Sequence, residues 1–248
     1  MDDYSYLGAG EISFREYGAA APFISAGNCS ALNFSPQTES KELLNYTQPG
    51  GGLQNEVQRV TGVEMSYTFH DFNGGNIARG LRGTATKTVA GSITGEAVVA
   101  YPGGLTPLAK IPSEITAVTG TGGTPTYTQG TDWEFRNGGI YLPEGTTIPA
   151  PVGGAANIEV DYDHEGQTKV EALVNSAKQY EVLFTGLNEA RSGKPVRIRA
   201  HKVSGGVLAQ FAALGEEYGA GEVTGKVLMD GTITGAGLSK YFKVEVVD

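Results

Sequence analysis

The sequence predicts a mainly antiparallel β protein with one small helix at about residues 76–82. Three observations lead there. Glycine supplies 37 of the 248 residues, roughly twice its average usage and without a Gly-X-Y period, so turns are frequent. Short runs of alternating apolar and polar residues recur between those turns, as half-buried strands require. Long helical segments between the strands are missing, which argues against a parallel βαβ sheet. A hydrophobic fraction of 40% fits a folded chain. Residues 1–248 read as one domain, with 84–167 a possible β-hairpin-rich insertion.

The first strand is "GEISFREY", where Ile12 and Phe14 alternate with Ser13 and Arg15. "CSALNFSP" (29–36) follows, and Pro36 is expected to end it. From 37 to 52 the chain reads "QTESKELLNYTQPGGG", a polar loop with an apolar island at Leu43, Leu44 and Tyr46, closing on Pro49 and three glycines. A loop this long within a compact domain usually has a function. Two leucines and a tyrosine suit an arm that orders against a partner, not a spacer. "EVQRVTGVEMSYTFHDF" (56–72) is the longest alternating run, and Gly62 within it predicts a bulge or break. Met65, Tyr67 and Phe69 should face the core. The helix after it is too short to be stable alone, so Ile77, Ala78 and Leu81 should dock it on the sheet.

Between 84 and 167, short β-like runs are separated by Gly and Pro. "WEFRNGGIYL" reads as a hairpin turning at Asn137-Gly138, with Trp133 and Phe135 before it and Ile140 and Leu142 after. The tail gives strands at about 179–187 and 195–203, then "GEVTGKVLMDGTI" and "KYFKVEVV". Val182 and Phe184 should share a face, as should Val196, Ile198 and Ala200, with Arg197, Arg199 and His201 pointing the other way. Residues 206–221, with Leu208, Phe211 and Leu214, suit either a short helix or an edge strand.

Chemistry is thinly signalled. Net charge is −9, from 27 acids and 18 bases. Such a chain lacks the clustered Lys and Arg that bind nucleic acid through phosphate. Cys29 is the single cysteine, which excludes an internal disulfide framework; a small buried thiol is expected. His70, His164 and His201 lack zinc-ligand spacing and are expected to be solvated strand residues. "DYDHEG" (161–166) begins like a calcium loop, but Ala172 stands where the bidentate Glu belongs, so an acidic hairpin tip is expected. "NGGNIARG" follows a strand and opens a helix but lacks G-x-G-x-x-G spacing, and no G-x-S-x-G elbow occurs. Acids are too abundant for the Glu216-Glu217 pair to signify a glycosidase. Neither a catalytic set nor a cofactor is expected. The N-terminus has no apolar signal region, and no stretch approaches the ~20 apolar residues of a membrane span; folding in the cytoplasm is expected.

The order of these features resembles the major tail tube proteins of long-tailed bacteriophages. A polar arm leads into an alternating strand, "MSYTFHDF", and then a small helix, "GGNIARGLRG". Asn76, Ile77, Ala78, Leu81 and Gly83 match the family's helix pattern. "YTQGTDWEF" (127–135) and the closing strands look similar to their counterparts in elaborated members. The resemblance implies an antiparallel β-sandwich or partial barrel flanked by the helix. It implies a structural virion protein, not an enzyme, whose hexameric rings stack into a tube. Partners would be the chain itself, a tape-measure protein, the tail terminator and distal tail proteins, and DNA in transit. The location would be the virion tail, assembled in host cytoplasm. On this reading Leu43, Leu44, Tyr46 and Pro49 form an inter-ring arm, and Glu64, Ser66, Thr68 and Glu181 face the lumen. Arg197 and Arg199 argue against a uniformly acidic lining. The longer middle segment either belongs to the same domain or decorates its outside. The rival reading is a β-sandwich carbohydrate- or receptor-binding module, with Tyr101, Tyr127, Trp133 and Tyr141 as an aromatic platform.

Overall fold

A computed structural model describes residues 4–136 and 138–247; Asn137 of the expected turn lies outside them. Strands dominate, with one α-helix. The chain forms two compact units, one of residues up to Ala85 and from Val170 onward, the other Thr86–Lys169. In the first unit, β1 (Gly8–Glu16), β2 (Ile24–Ser25), β3 (Cys29–Leu44) and β4 (Leu53–Phe69) precede α1 (Gly74–Gly80). β5 (Thr84–Thr88) leads out. The second unit holds β6 (Gly91–Val98), β7 (Leu105–Pro107), β8 (Glu114–Gly120), β9 (Glu134–Arg136), β10 (Gly139–Tyr141) and β11 (Ile158–His164). β12 (Gln167–Glu171) pairs with β5 and leads back. Then follow β13 (Gln179–Asn188), a 3-10 turn (Glu189–Arg191), β14 (Lys194–Ser204), β15 (Gly221–Val227) and β16 (Phe242–Val246).

The first unit is an eight-stranded antiparallel sheet of order β2-β1-β13-β14-β15-β4-β3, with β16 also on β14. The sheet forks at β14. Val196–Ala200 pair with β16, whereas only Val203 and Ser204 pair with β15. The fork folds the sheet over on itself. Phe14 on β1 then meets Tyr67 on β4, ring centroids 4.9 Å apart, and Phe34 on β3 stacks on Phe242 of β16 at 5.0 Å. Met65, Tyr67 and Phe69 are buried between the halves with Ile12, Phe14, Val182 and Ala200. Each large apolar side chain buried this way contributes about 1.5–3 kcal/mol. The sheet does not close into a barrel: among the described residues no strand joins β3 to β2. Gly10 and Gly186 face each other across β1 and β13, and the Phe184 ring lies over them; a Cβ on Gly10 would stand 2.9 Å from it.

Several elements differ from the sequence expectation. The helix begins at Gly74, not 76, and Leu81 is its C-cap. Asn73 is the reason: its side chain accepts the Asn76 amide at 3.0 Å, capping the first turn. β3 runs through Pro36 to Leu44. It is the edge strand, where a missing N–H facing outward costs no ladder bond. Of residues 37–52, the first half, 37–44, is therefore strand and only 45–52 are loop. Of residues 206–221, only Gly221, the first residue of β15, lies in a helix or strand, apart from a single bridge from Leu208 to Val223. Leu208 is buried in the core and Phe211 meets the Phe72 ring at 5.8 Å, but Leu214 is 95% exposed, so the expected helix face is received only in part. His164 is buried, not solvated.

The second unit has its own core in two three-stranded sheets, β7-β10-β9 and β6-β11-β8. Phe135 pairs with Ile140 across the expected hairpin. Trp133 is 3% exposed and donates its Nε1–H to Tyr127 O at 3.2 Å. Asp132 pins the adjoining turn by accepting from the Thr128 amide and the Thr147 hydroxyl. Tyr162 donates to Glu96 Oε2 at 2.5 Å; burial and that carboxylate push its hydroxyl up to about 12.

Helix α1 is held by polar groups as much as apolar ones. Its buried residues are Asn76 and Gly80. The Asn76 amide donates to Ala26 O and Asp71 O, both at 2.7 Å, and accepts from Arg79 Nη1. Arg79 lies over the Phe14 ring at 4.3 Å. Leu81, Ile77 and Ala78 are all half-buried, and Leu81 packs on the core. Replacing Asn76 by Leu takes the donor from the buried Ala26 carbonyl and the part-buried Asp71 carbonyl, so Asn76→Leu should destabilise the protein by about 2–4 kcal/mol. The urea midpoint measures this; an unchanged midpoint would show that the network does not hold the helix.

Candidate functional site

The most unusual feature of the first unit is the hairpin of β3 and β4. β15 pairs with β4 only over Val63–Phe69. Beyond that point, among the described residues, 38–44 of β3 and 53–60 of β4 have only each other as strand partners. Seven residues of strand at ~3.3 Å each project the ribbon roughly 20–25 Å. At its root Gln37 pairs with Gly62 and Thr38 with Val60, which leaves Thr61 as an extra residue. This is the bulge expected at Gly62, and it bends the ribbon. The tip closes through Asn45 N–H to Gly52 O at 2.7 Å and Asn45 Oδ1 accepting the Thr47 amide.

Strand alternation sorts the ribbon's side chains. One face carries Ser40 opposite Gln58, Glu42 opposite Glu56 and Leu44 opposite Leu53. The other carries Glu39 opposite Arg59, Lys41 opposite Val57 and Leu43 opposite Asn55. Directly opposed like charges such as Glu42 and Glu56 weaken a hairpin. Leu43, Leu44, Tyr46, Leu53, Val57 and Val60 are all exposed, and Pro49 is exposed in the tip. An isolated two-stranded hairpin is marginal in water, and clustered exposed apolar residues mark interaction surfaces. The structure thus brings Leu43, Leu44 and Tyr46 together at the ribbon's outer end. Sequence reading missed Leu53, Val57 and Val60; the faint signal was apolar residues preceding Gly62 with no strict alternation.

The outer face of the sheet is polar. Cross-strand rows run Ser35–Glu64–Lys226, Asn33–Ser66–Thr224 and Ala31–Thr68–Glu222. Glu64 is exposed, and Ser66 and Thr68 are half-buried. Glu181 does not stand among them as an open acid. It is 8% exposed, and its Oε2 accepts from Arg15 Nη2 and Arg199 Nη2, each at 2.7 Å. A register shift between Tyr180 and Val182 takes it out of strand alternation. Arg15, at a polar strand position, was the partner that sequence reading missed.

Glu181, Arg199, His201, Asp230 and Lys243 line a cleft of about 810 Å³ with Tyr17. Asp230 accepts from Thr232 N–H and Oγ1 and from the Tyr17 hydroxyl. The Thr232 bonds hold its carboxyl below the usual range. Burial, then the Arg199 charge, lowers His201. Arg197 pairs with Glu245. Glu181 pairs with both arginines, but the Nε of Arg15 and of Arg199 is buried without a hydrogen-bond partner among the described residues. Among the described residues no three His, Cys, Asp or Glu side chains cluster to hold a metal, and no helix is long and apolar enough to cross a membrane. Cys29 is half-buried, and burial pushes its thiol up. Trp133 and Tyr127 lie in the core, so they do not form an aromatic platform with Tyr101 and Tyr141.

Burial pushes the Glu181 carboxyl up, but the Arg15 and Arg199 hydrogen bonds outweigh it and hold it below its ordinary value of 4.5. A carboxylate depressed on folding stabilises fully above its unfolded value and loses that contribution as pH falls through the folded one. Glu181→Gln should therefore cost about 1–3 kcal/mol at pH 7. It should also flatten the loss of stability below pH 4.5. Urea midpoints at stepped pH test this; parallel acid limbs in the two proteins would refute it.

No curated protein matches the chain. Residues 5–245 match a family described as "Protein of unknown function UCP028589", and the chain belongs to that family.

Proposed function

We propose that the protein is the structural subunit of a bacteriophage tail tube. Copies associate side by side into rings, hexameric in the proteins it resembles, and rings stack into the conduit through which DNA leaves the virion. The observation that carries this reading is the projecting hairpin. It exposes apolar side chains on a ribbon that lacks neighbours of its own, which suits a segment completed by another subunit. The sheet's open edges fit too, because ring closure removes edges that otherwise invite aggregation. The polar rows through Glu64, Ser66 and Thr68 suit a wall facing DNA, and a net charge of −9 keeps phosphate from adhering. A tape-measure protein would fill the tube before DNA passes, and terminator and distal tail proteins would cap it. The subunit does no chemistry on this reading and needs no cofactor.

Negative-stain electron microscopy of the purified protein over a range of concentrations should show rings or tubes. The triple variant Leu43→Ser/Leu44→Ser/Tyr46→Ser keeps the turn and ladder. It should give an unchanged circular dichroism spectrum and thermal midpoint, yet no tubes. A variant that still forms normal tubes would remove the hairpin from the assembly contact.

A further inference from the structure

Two surfaces of the first unit, a loop and a cleft, carry matching chemistry. The loop is 209–220, between the bridge at Leu208 and the start of β15. Its ends are pinned. Leu208 lies in the core, Phe211 meets the Phe72 ring, and Gly219 O lies 3.2 Å from His70 Nδ1. The residues between are all exposed, Tyr218 at 99%. From Val203 to Gly225 the chain has no Lys or Arg, while Glu216, Glu217 and Glu222 are acids. A long irregular loop that keeps apolar side chains in solvent usually has a function. The cleft is the one of about 810 Å³ beside β14 and β16, with Ile233, Leu238 and Phe242 as an apolar wall. Arg199 and Lys243 stand directly opposite each other across those strands, and both line it. Two acids hold four cations here: Glu181 is shared by Arg15 and Arg199, and Glu245 by Arg197 and Lys243. Asp230, the third acid, bonds Thr232 and Tyr17, and Lys202 lies over that tyrosine ring at 4.9 Å. Glu11 on the same face is set apart from Arg197 by Thr185. Cations thus outnumber acids around this cleft in a chain whose net charge is −9.

We infer that the cleft is the seat for loop 209–220 of a second copy of the chain, an inference that rests on the assembly reading above. Leu214 and Tyr218 cover the wall of Ile233, Leu238 and Phe242. Glu216 and Glu217, between them, face Arg199 and Lys243. That opposed cation pair weakens the β14–β16 ladder in the lone subunit and gains acids on contact. Charge complementarity of this kind fixes register and rejects wrong partners. The two surfaces differ, so the contact is head-to-tail. Such a contact does not close on a dimer; it propagates.

The test mixes two populations of full-length Cys29→Ser chains, one carrying Tyr218→Cys and the other Leu238→Cys, lets them assemble and oxidises them. Tyr218 and Leu238 are exposed in the lone subunit, so neither change should disturb the fold. A disulfide forms only where Cα atoms approach within about 7 Å. A cross-link between the two populations should appear in the assembled fraction and be absent from dilute chains. Leu214→Cys supplies a second loop position should Tyr218→Cys weaken assembly. In a parallel arm, Glu216→Lys/Glu217→Lys and Lys243→Glu should each raise the concentration needed for tubes by about tenfold, and together by less than the product. Lys243→Gln stands in should Lys243→Glu fold poorly. Tubes that form without a cross-link from either loop position, or with charge effects that simply multiply, would overturn the seat while leaving the assembly reading in place. A Lys243 variant that hinders assembly while the loop variants do not would give the cleft to another segment, and overturns the seat as well. Wild-type chains that stay monomeric at every concentration would overturn both.

Discussion

The structure turns on one mismatch of length. β4 has 17 residues and β3 has 16, but β15, the strand that flanks β4 on its other side, has only seven. Where three strands lie together, alternation buries Met65, Tyr67 and Phe69 and turns Glu64, Ser66 and Thr68 outward. Where two remain, no core is available, and both faces of the ribbon meet solvent. Backbone hydrogen bonds alone contribute little net stability in water. The same two strands thus anchor the core and extend past it. A rigid base under a weakly supported ribbon is what a reaching contact needs.

The base is rigid for reasons that can be named. The fork at β14 folds the sheet so that Phe14 meets Tyr67 and Phe34 meets Phe242. Asn76 ties the helix to Ala26 and Asp71, so the turn out of β4 is fixed by hydrogen bonds as well as by packing. Glu181 joins Arg15 on β1 to Arg199 on β14 from the strand between them. These ties act on the halves that carry the ribbon's root. The second unit keeps a core of its own around Trp133, Ile140 and Tyr162.

Much of this was legible in the sequence. The alternation around Met65, Tyr67 and Phe69 gave their burial, and Gly62 gave the bulge. The run from Gln179 to Ser204 gave two paired strands. The misreadings share a cause: local pattern carries no information about neighbours. Pro36 ends a strand only if its amide is needed, and at an edge it is not. Leu43 and Leu44 looked like an island in a loop because the strand that pairs with them lies beyond three glycines. Glu181 looked like an exposed acid because neither Arg15 nor the bulge beside it is visible from its own segment. Leu208, Phe211 and Leu214 had helical spacing, but only Leu208 enters the core and Leu214 stays in solvent, and a short helix forms only where its whole face is received. The hairpin as a candidate contact was half legible: its apolar tip could be read, its return strand and its projection could not.

The central claim is that the ribbon lacks support in the lone subunit and gains it on assembly. Amide hydrogen exchange over residues 38–61, compared between dilute monomer and assembled protein, tests that most directly. The account predicts rapid exchange in the monomer, protection of these amides on assembly, and little change in the amides of 63–69. Equal protection of the ribbon in both states would contradict it.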